Sequence, residues 1–365
     1  MPVPSQRRSR LLGPAAALAA TALLATACGG DGDDAPEVAV AIDQERCDTN
    51  REAGPITFVT GYHYQASVTQ LEVIAADALG YFDALCLDVE IQPGNGDLMG
   101  NAQLVSAGTA RFTAMSNEAE VLQADTRDHG IVGVATYGHV PISTLLTGSG
   151  IDDLTELEGR TLGHQSMLPA PVEAMLVEAG VDVDSVEQVE AGYDPSVLPR
   201  DQVQALTGFR SNEPHRLDDL GEEYTQWLPE DFGVVGSFGV MVTGPAWAEE
   251  HPTATEDFLR AVGHAFDHCQ DAGEECVGYA AELDQAGYDT EHNLKVWETE
   301  RELVVSSTPE GEPRGFVDLD LTEREAGTLV DNGELDEIPE LTPLFDTRYL
   351  EAVHEGSDLV WPESN

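Results

Sequence analysis

Short runs rich in β-branched and aromatic residues alternate along this chain with stretches whose apolar positions recur at helical spacing. Residues 56–60 predict a first strand, and 71–79 a helix stopped by Gly80. A second strand over 87–91 ends at Pro93-Gly94, a helix closes over 104–107 at Gly108, and 112–115 predict a third strand. Ser116 reads as the N-cap of a helix running through Ala124, with Glu118 well placed in its first turn. Two further strands, 131–137 and 142–146, are separated by Gly138 and Pro141. The alternation repeats through 154–157, 161–164, 172–178 and 186–189, with Gly180 ending the helix, and 205–209 is another strand. Residues 238–242 look like a return path, and beyond Pro245 the pattern turns helical over 246–250, 255–270, 277–286 and 294–303.

This order predicts an α/β protein of two lobes, each a mixed sheet flanked by helices. Residues 55–142 and 244–365 would form a discontinuous first lobe and 143–243 the second. Crossings near 142–146 and 238–242 would make a two-strand hinge. With 365 residues, 41% of them hydrophobic, the chain is long enough for two buried cores.

Charge narrows the partners. The 68 acidic residues outnumber the 17 basic ones, for a formal net of −51, and Lys295 is the one lysine. A field of that sign repels phosphate backbones, so nucleic acid and polyanions are excluded as partners. The composition reads as the hydrated acidic surface of a halophilic protein, where counterions screen self-repulsion.

The first residues read as a leader. Arg7, Arg8 and Arg10 precede an Ala/Leu-rich run, 11–27, too short and too weakly apolar for a stable span. Arg7-Arg8 also weakly resembles a twin-arginine signal. Leu24-Ala25-Thr26-Ala27-Cys28-Gly29 is similar to a bacterial lipobox, with Ala25 at a place where Leu is usual. Residues 1–28 are thus expected to be a lipoprotein signal peptide ending at a lipidated Cys28, the alternative being secretion and release. The Gly/Asp-rich stretch that opens 29–54 is expected to be a flexible tether. The protein would then sit outside the cytoplasm, anchored to the outer face of the cell membrane.

Export leaves four cysteines in an oxidising compartment, with three possible pairings. Cys47–Cys86 and Cys269–Cys276 are favoured, the second closing a short polar turn between two helical patterns. Metal binding by His264, His268 and Cys269 is the rival; Phe258, Val262, Ala265 and Phe266 place Cys269 on an apolar face instead, so no metal is assigned.

Three stretches carry a family resemblance. Ala75 through Phe82 (AADALGYF) with Leu87-Asp88-Val89-Glu90, Asn101 through Phe112 (NAQLVSAGTARF), and Thr207 through Pro214 (TGFRSNEP) resemble, in order and spacing, the signatures of the NMT1/THI5-like (SsuA/THI5-like) substrate-binding proteins of ABC transporters. Arg111 stands where that family usually has Asp. The resemblance implies the type II periplasmic-binding-protein fold, a small-molecule ligand held between lobes, and a permease with its ATPase as partners; the chain itself is expected to be a monomer.

Residues just beyond predicted strands are the candidates to line such a cleft. Tyr62-His63-Tyr64-Gln65 follows the first strand and supplies aromatic faces, an imidazole and an amide; the alternative is a surface turn with one Tyr packed beneath. Asn117 follows the third strand, where helix capping by Ser116 would occur in either case. Gln165 precedes a helix in the second lobe. Asn212 and Glu213 are the sharpest candidates: a carboxylate there accepts paired bonds from ring N–H or exocyclic NH₂ groups, and the resemblance implies a ligand-facing Glu at this motif in pyrimidine-binding members. The competing role for Glu213 is capping its own helix. Tyr193 and Asp194 are weaker candidates, and Arg210 would favour an anion if it faced inward.

A thiamine pyrimidine precursor or a flavin-like heterocycle is the favoured ligand, with sulfonate, taurine or nitrate as the alternative. Enzymes that make the thiamine pyrimidine share the fold, and a non-transport sensor is a further reading. No G-x-S-x-G, H-E-x-x-H, Walker A or Cys-x-x-Cys motif is present, so no catalytic residue or cofactor is assigned.

Overall fold

The structure, a computed structural model, describes residues 39–362 other than 166, 285 and 286. The expected leader, Cys28 and residues 29–38 lie outside that range. Residues 41–54, read above as the rest of a tether, are instead part of the folded body. Ala41 is buried and its N–H donates to Ala84 O. Helix α1 (Gln44–Glu52) is capped by the Asp43 side chain. Cys47 on α1 is bonded to Cys86, and Arg46 and Asn50 both donate to the buried carboxylate of Asp257. A disulfide and a buried ion pair hold this segment where local pattern alone reads as linker.

The chain continues through β1 (Pro55–Val59), β2 (Tyr62–His63), α2 (Leu71–Ala78), α3 (Tyr81–Ala84), β3 (Asp88–Gln92), β4 (Gly94–Asn95), α4 (Leu98–Ser106), β5 (Phe112–Met115), α5 (Glu118–Asp125) and β6 (Val132–Gly138). It then crosses to β7 (Ser143–Thr147), β8 (Thr161–His164), α6 (Ala170–Glu178), β9 (Glu187–Glu190), β10 (Ala205–Phe209), α7 (Glu213–Leu220) and β11 (Thr225–Trp227). It returns with β12 (Phe238–Thr243), followed by α8 (Pro245–Glu250), α9 (Pro252–Asp271), α10 (Gly273–Leu283), α11 (Thr290–Ser307), α12 (Leu319–Asp331), α13 (Arg348–Glu351) and a small hairpin, β13 (His354–Glu355) with β14 (Asp358–Leu359).

The first sheet has the order β3-β1-β5-β12-β6, and the second β11-β7-β10-β8-β9. Strands β5, β6 and β12 are buried along their whole length, which is why they read as mostly apolar runs with a threonine in each. Edge strand β3 alternates instead, with Asp88, Glu90 and Gln92 exposed. In the first core Phe258 of α9 stacks on Phe112 with centroids 4.0 Å apart and on Phe82 at 5.3 Å. Cys269 at the end of α9 is bonded to Cys276 of α10, so it is not a metal ligand.

Two expectations need correction. Residues 238–243, assigned from sequence to the second lobe, form a central strand of the first sheet, antiparallel to both β5 and β6. Six consecutive buried residues suit an interior strand rather than a hinge. The crossings are therefore the segments just outside the strands, 139–142 and 233–237. They touch: a Cβ at Gly236 would come 2.8 Å from Pro141 Cγ and 3.2 Å from its Cα. The cap of α5 is Asn117, not Ser116. Asn117 Oδ1 accepts from Glu120 N–H while the Glu120 carboxylate accepts from Ser116 N–H, a reciprocal arrangement akin to a capping box.

Candidate functional site

Topology places the cleft. The crossings leave the carboxyl end of β6 and enter the amino end of β7, which lies antiparallel to β10. The carboxyl ends of β1, β3, β5 and β6 thus face those of β8, β9 and β10, and the loops beyond them line the space between the lobes. This is where an α/β sheet offers unpaired backbone groups and helix N-termini to a ligand. A surface depression lined by Val132, Pro245, Thr342 and Arg348 lies at the opposite end of β6 and is unrelated to the cleft.

The lobes meet across this space through aromatic rings. Tyr62, in the β2 turn of the first lobe, stacks on Tyr193, beyond β9 of the second, with centroids 5.5 Å apart and planes 28° from parallel. Both residues are exposed, Tyr62 by 38% and Tyr193 by 52%. His63 packs edge-on to Tyr62 at 4.6 Å and holds a backbone φ of 46°, a left-handed geometry that the β2–β4 pairing maintains. Tyr64 and Gln65 are half-buried. The Tyr64 carbonyl accepts from Tyr288 OH, and the Gln65 N–H donates to Tyr62 O to close the turn.

Glu213 plays a different part from the one its position suggests. It is 1% exposed, and three donors occupy it: Phe209 N–H at 2.6 Å on Oε2, and the side-chain amides of Gln165 and Asn212, each at 2.9 Å, on Oε1. Burial raises its pKa and the three hydrogen bonds oppose that rise. A Cβ at Gly208 would stand 2.6 Å from Oε2, so glycine there is what lets the carboxyl group fold back under β10. Glu213 therefore orients two amides rather than offering itself to the cleft. The bond to Asn212 Nδ2 turns that amide's oxygen toward His292, which donates from Nε2 at 2.6 Å. His292 is held neutral, its pKa pushed down to about 4 by burial and by Arg216.

The remaining candidates separate. Asn117 is committed to its helix cap, and Asp194 caps a short turn by accepting from Ser196 N–H. Arg210 is turned to the crossing, where its guanidinium donates to Glu230 and to Pro141 O. Among the described residues of the loops beyond these strand ends and of the two crossings, the guanidinium groups are those of Arg210 and of Arg200, which stands in the exposed loop beyond β9 and pairs with Asp194 at 3.7 Å. His264, on the outer side of α9, stacks between Tyr81 and Trp361.

Two groups that sequence reasoning missed come from α11. His292 is described above; Glu300 accepts from Val68 N–H at 2.7 Å and from Ser211 Oγ at 2.6 Å. Their signal was present in the pattern: His292, Asn293, Val296, Trp297, Glu300 and Val304 are the buried positions of α11, so Glu300 is an acid on an otherwise inward-facing stripe. The same sign marks Glu72 on α2, Glu118 on α5 and Glu325 on α12, all buried.

Comparison with known proteins agrees with this architecture. The family model described as NMT1/THI5 like matches residues 68–275, more than half of the chain. No curated protein matches it. Among solved structures, the periplasmic aliphatic sulphonate binding protein SsuA from Escherichia coli superposes with a TM-score of 0.59 at 12% identity, covering 84% of this chain and 95% of that one. The alkanesulfonate-binding protein SsuA from Xanthomonas axonopodis pv. citri, bound to MOPS, gives 0.58 at 11% identity, covering 80% and 98%. The desulfurization enzyme DszB gives 0.57 at 15% identity, covering 81% and 98%. At such identities the likeness establishes fold alone, and that fold carries both binding and catalysis. The chain belongs to the NMT1/THI5-like family and has the two-lobed fold of the type II periplasmic binding proteins.

Proposed function

We propose that this protein is the extracytoplasmic solute-binding component of an ABC importer. It closes its lobes on a flat, neutral or weakly basic heterocycle, such as a thiamine pyrimidine precursor or a flavin, and presents it to a permease served by an ATPase. The observation that carries the reading is the Tyr62–Tyr193 pair, one ring from each lobe, over loops whose two guanidiniums are already paired, Arg210 with Glu230 and Arg200 with Asp194. Two aromatic faces suit a planar ligand. Because Glu213 holds Gln165 by its NH₂ group, the Gln165 carbonyl oxygen is left as the acceptor for a ring N–H or an exocyclic amine.

A sulfonate, taurine or nitrate is the second reading, supported by what the two SsuA proteins are named for. Against it, an anion entering this cleft meets the exposed acid Asp97, and the cations of the same loops are each paired with an acid, Arg210 with Glu230 and Arg200 with Asp194. Binding without turnover is the reading for the chemistry as well: the cysteines among the described residues are all in disulfides, so they supply no thiolate nucleophile. Anchoring through a lipidated Cys28 completes the proposal, with the folded body acting as a monomer.

The test is a thermal-shift screen of the chain lacking its leader, at high salt, against pyrimidines, flavins, alkanesulfonates, taurine and nitrate. A ligand at 100 times its Kd adds about 2.7 kcal/mol to the folded state. The expected result is a shift from one heterocycle class, weakened up to about tenfold in affinity by Tyr193→Ala, as the loss of an aromatic pair predicts. A shift from sulfonates alone would replace this reading by the second.

A further inference from the structure

Helix α11 belongs to the first lobe by its packing, with Trp297 against Phe266 and its indole N–H donating to Cys269 O. The helix, with Tyr288 and Asp289 just before it, nevertheless holds the cleft loops of both lobes. On the first-lobe side Asn293 Oδ1 accepts from Ala66 N–H, and Tyr288 OH donates to the carbonyl of Tyr64. On the second-lobe side His292 meets Asn212 and Thr299 meets His215, while Asp289 pairs with Arg216 and Lys295 with Asp219. Glu300 does both with one carboxyl group: Oε2 takes the N–H of Val68 and Oε1 the hydroxyl of Ser211.

We propose that Glu300 is a positioning residue that couples the two lobes, tying the loop beyond β1 to the loop beyond β10 so that the cleft's two walls tighten or loosen together. The ring pair Tyr62–Tyr193 takes one ring from each wall, and the amides of Gln165 and Asn212 both stand on the second-lobe wall. A group that fixes both walls sets the ligand geometry without touching ligand. The coupling is independent of which solute the cleft takes.

Chemistry makes the tie sensitive to protonation. Glu300 is buried, and burial lifts its pKa to about 7 against the hydrogen bonds from Ser211 and Val68. Among the described residues, the acidic group facing it is Glu72 of α2, itself fully buried. Behind Glu72 stand the Tyr137 phenol of β6 and, beyond that, Arg314. A protonated Glu300 accepts from Val68 and donates to Ser211 with no charge to desolvate. An ionised Glu300 is held beside a second acid, and parting the lobes admits water to it. Raising the pH from about 4.5, where an exposed carboxyl group ionises, to about 7 therefore loosens the tie, and lowering it restores the closed arrangement.

The test is hydrogen exchange by mass spectrometry on the folded protein, reading peptides that cover 64–70 and 209–213. Each rate is divided by that of Glu300→Gln at the same pH, since glutamine accepts from Val68 and donates to Ser211 without titrating. Near pH 4.5 wild type and Glu300→Gln should match; the wild-type rate should then climb relative to the variant, exceed it by roughly tenfold or more in both segments by about pH 7, and level off above that. Glu300→Ala should loosen both segments at either pH. Should Glu300→Ala fail to fold, Ser211→Ala removes the second-lobe arm alone and is expected to loosen both peptides. Loosening confined to one segment, or a wild-type to Glu300→Gln ratio that stays constant with pH, would overturn the proposal.

Discussion

Replacing Glu213 by Ala separates a ligand group from a structural one. The substitution orphans the Phe209 N–H, which is shielded at the end of β10, at a cost of about 1–3 kcal/mol. The amides of Gln165 and Asn212 are half-buried and regain part of their loss from water, so each adds roughly 0.5–1 kcal/mol. Removing a desolvated acid returns some of this, leaving an expected destabilisation of about 3 kcal/mol. Urea unfolding followed by tryptophan fluorescence measures it. Gly208→Ala supplies the independent check. Its Cβ would lie 2.6 Å from Glu213 Oε2, and overpacking of this kind costs about 1–3 kcal/mol. In the double variant that clash has no partner, so the two costs should sum to less than their separate values by about 1 kcal/mol or more. Glu213→Gln should fall between, because its NH₂ group then faces two other donors. If Glu213→Ala unfolds at the wild-type midpoint, loses ligand, and adds independently to Gly208→Ala, the carboxyl group belongs to the ligand and the network described here does not carry it.

Two further outcomes follow from buried charge and covalent cross-links. Burial lifts Glu72 to about 8 and Glu300 to about 7, and raises Glu118 and Glu325 as well. These acids keep protons in the folded state that the unfolded chain releases near its ordinary pKa. Their stabilisation is thus complete below about pH 4.5 and is lost as pH climbs toward about 8. Asp219, Asp289 and Asp346, held below their usual range by bonds to Lys295, Arg216 and Arg348, act oppositely and lose their contribution as pH falls below about 4. Stability at constant high salt should peak near about pH 5; urea midpoints that rise from pH 5 to 8 would contradict this. The disulfides span sequence separations of 39 and 7. Loop-closure entropy gives about 4 kcal/mol for Cys47–Cys86 and about 2.5 kcal/mol for Cys269–Cys276. The paired Cys→Ser variants should rank in that order by unfolding midpoint, and the reverse ranking would show that native-state packing outweighs loop closure.

The lobes were legible because a strand buried on both faces leaves a mostly apolar run, as at 112–115 and 131–137, and turn residues mark where each run stops. The loops able to meet a ligand were legible for the same reason, since they begin where a strand ends. The placement of 238–243 was not, because an apolar run ending in Thr243 suits the interior of either sheet, and only pairing with β5 and β6 decides between them. Residues 41–54 carry too few apolar positions to announce a helix packed on the body; the Cys86 sulfur and the Asp257 carboxylate that hold α1 are contributed from elsewhere in the chain.

Function divides along the same line. Residue type after a strand end identified Tyr62, Gln165, Asn212 and Glu213 as a set worth assembling, and composition alone set the sign of the field a ligand must enter. What each of them does was decided by partners distant along the chain: Gln165 lies 48 positions from Glu213, Asn212 lies 80 from His292, and Val68 lies 232 from Glu300. Periodicity is a local property of the backbone, and it reports which side of an element is buried. A hydrogen bond is a property of two atoms within about 3 Å of each other, and that proximity exists only after the chain has crossed between its sheets and returned.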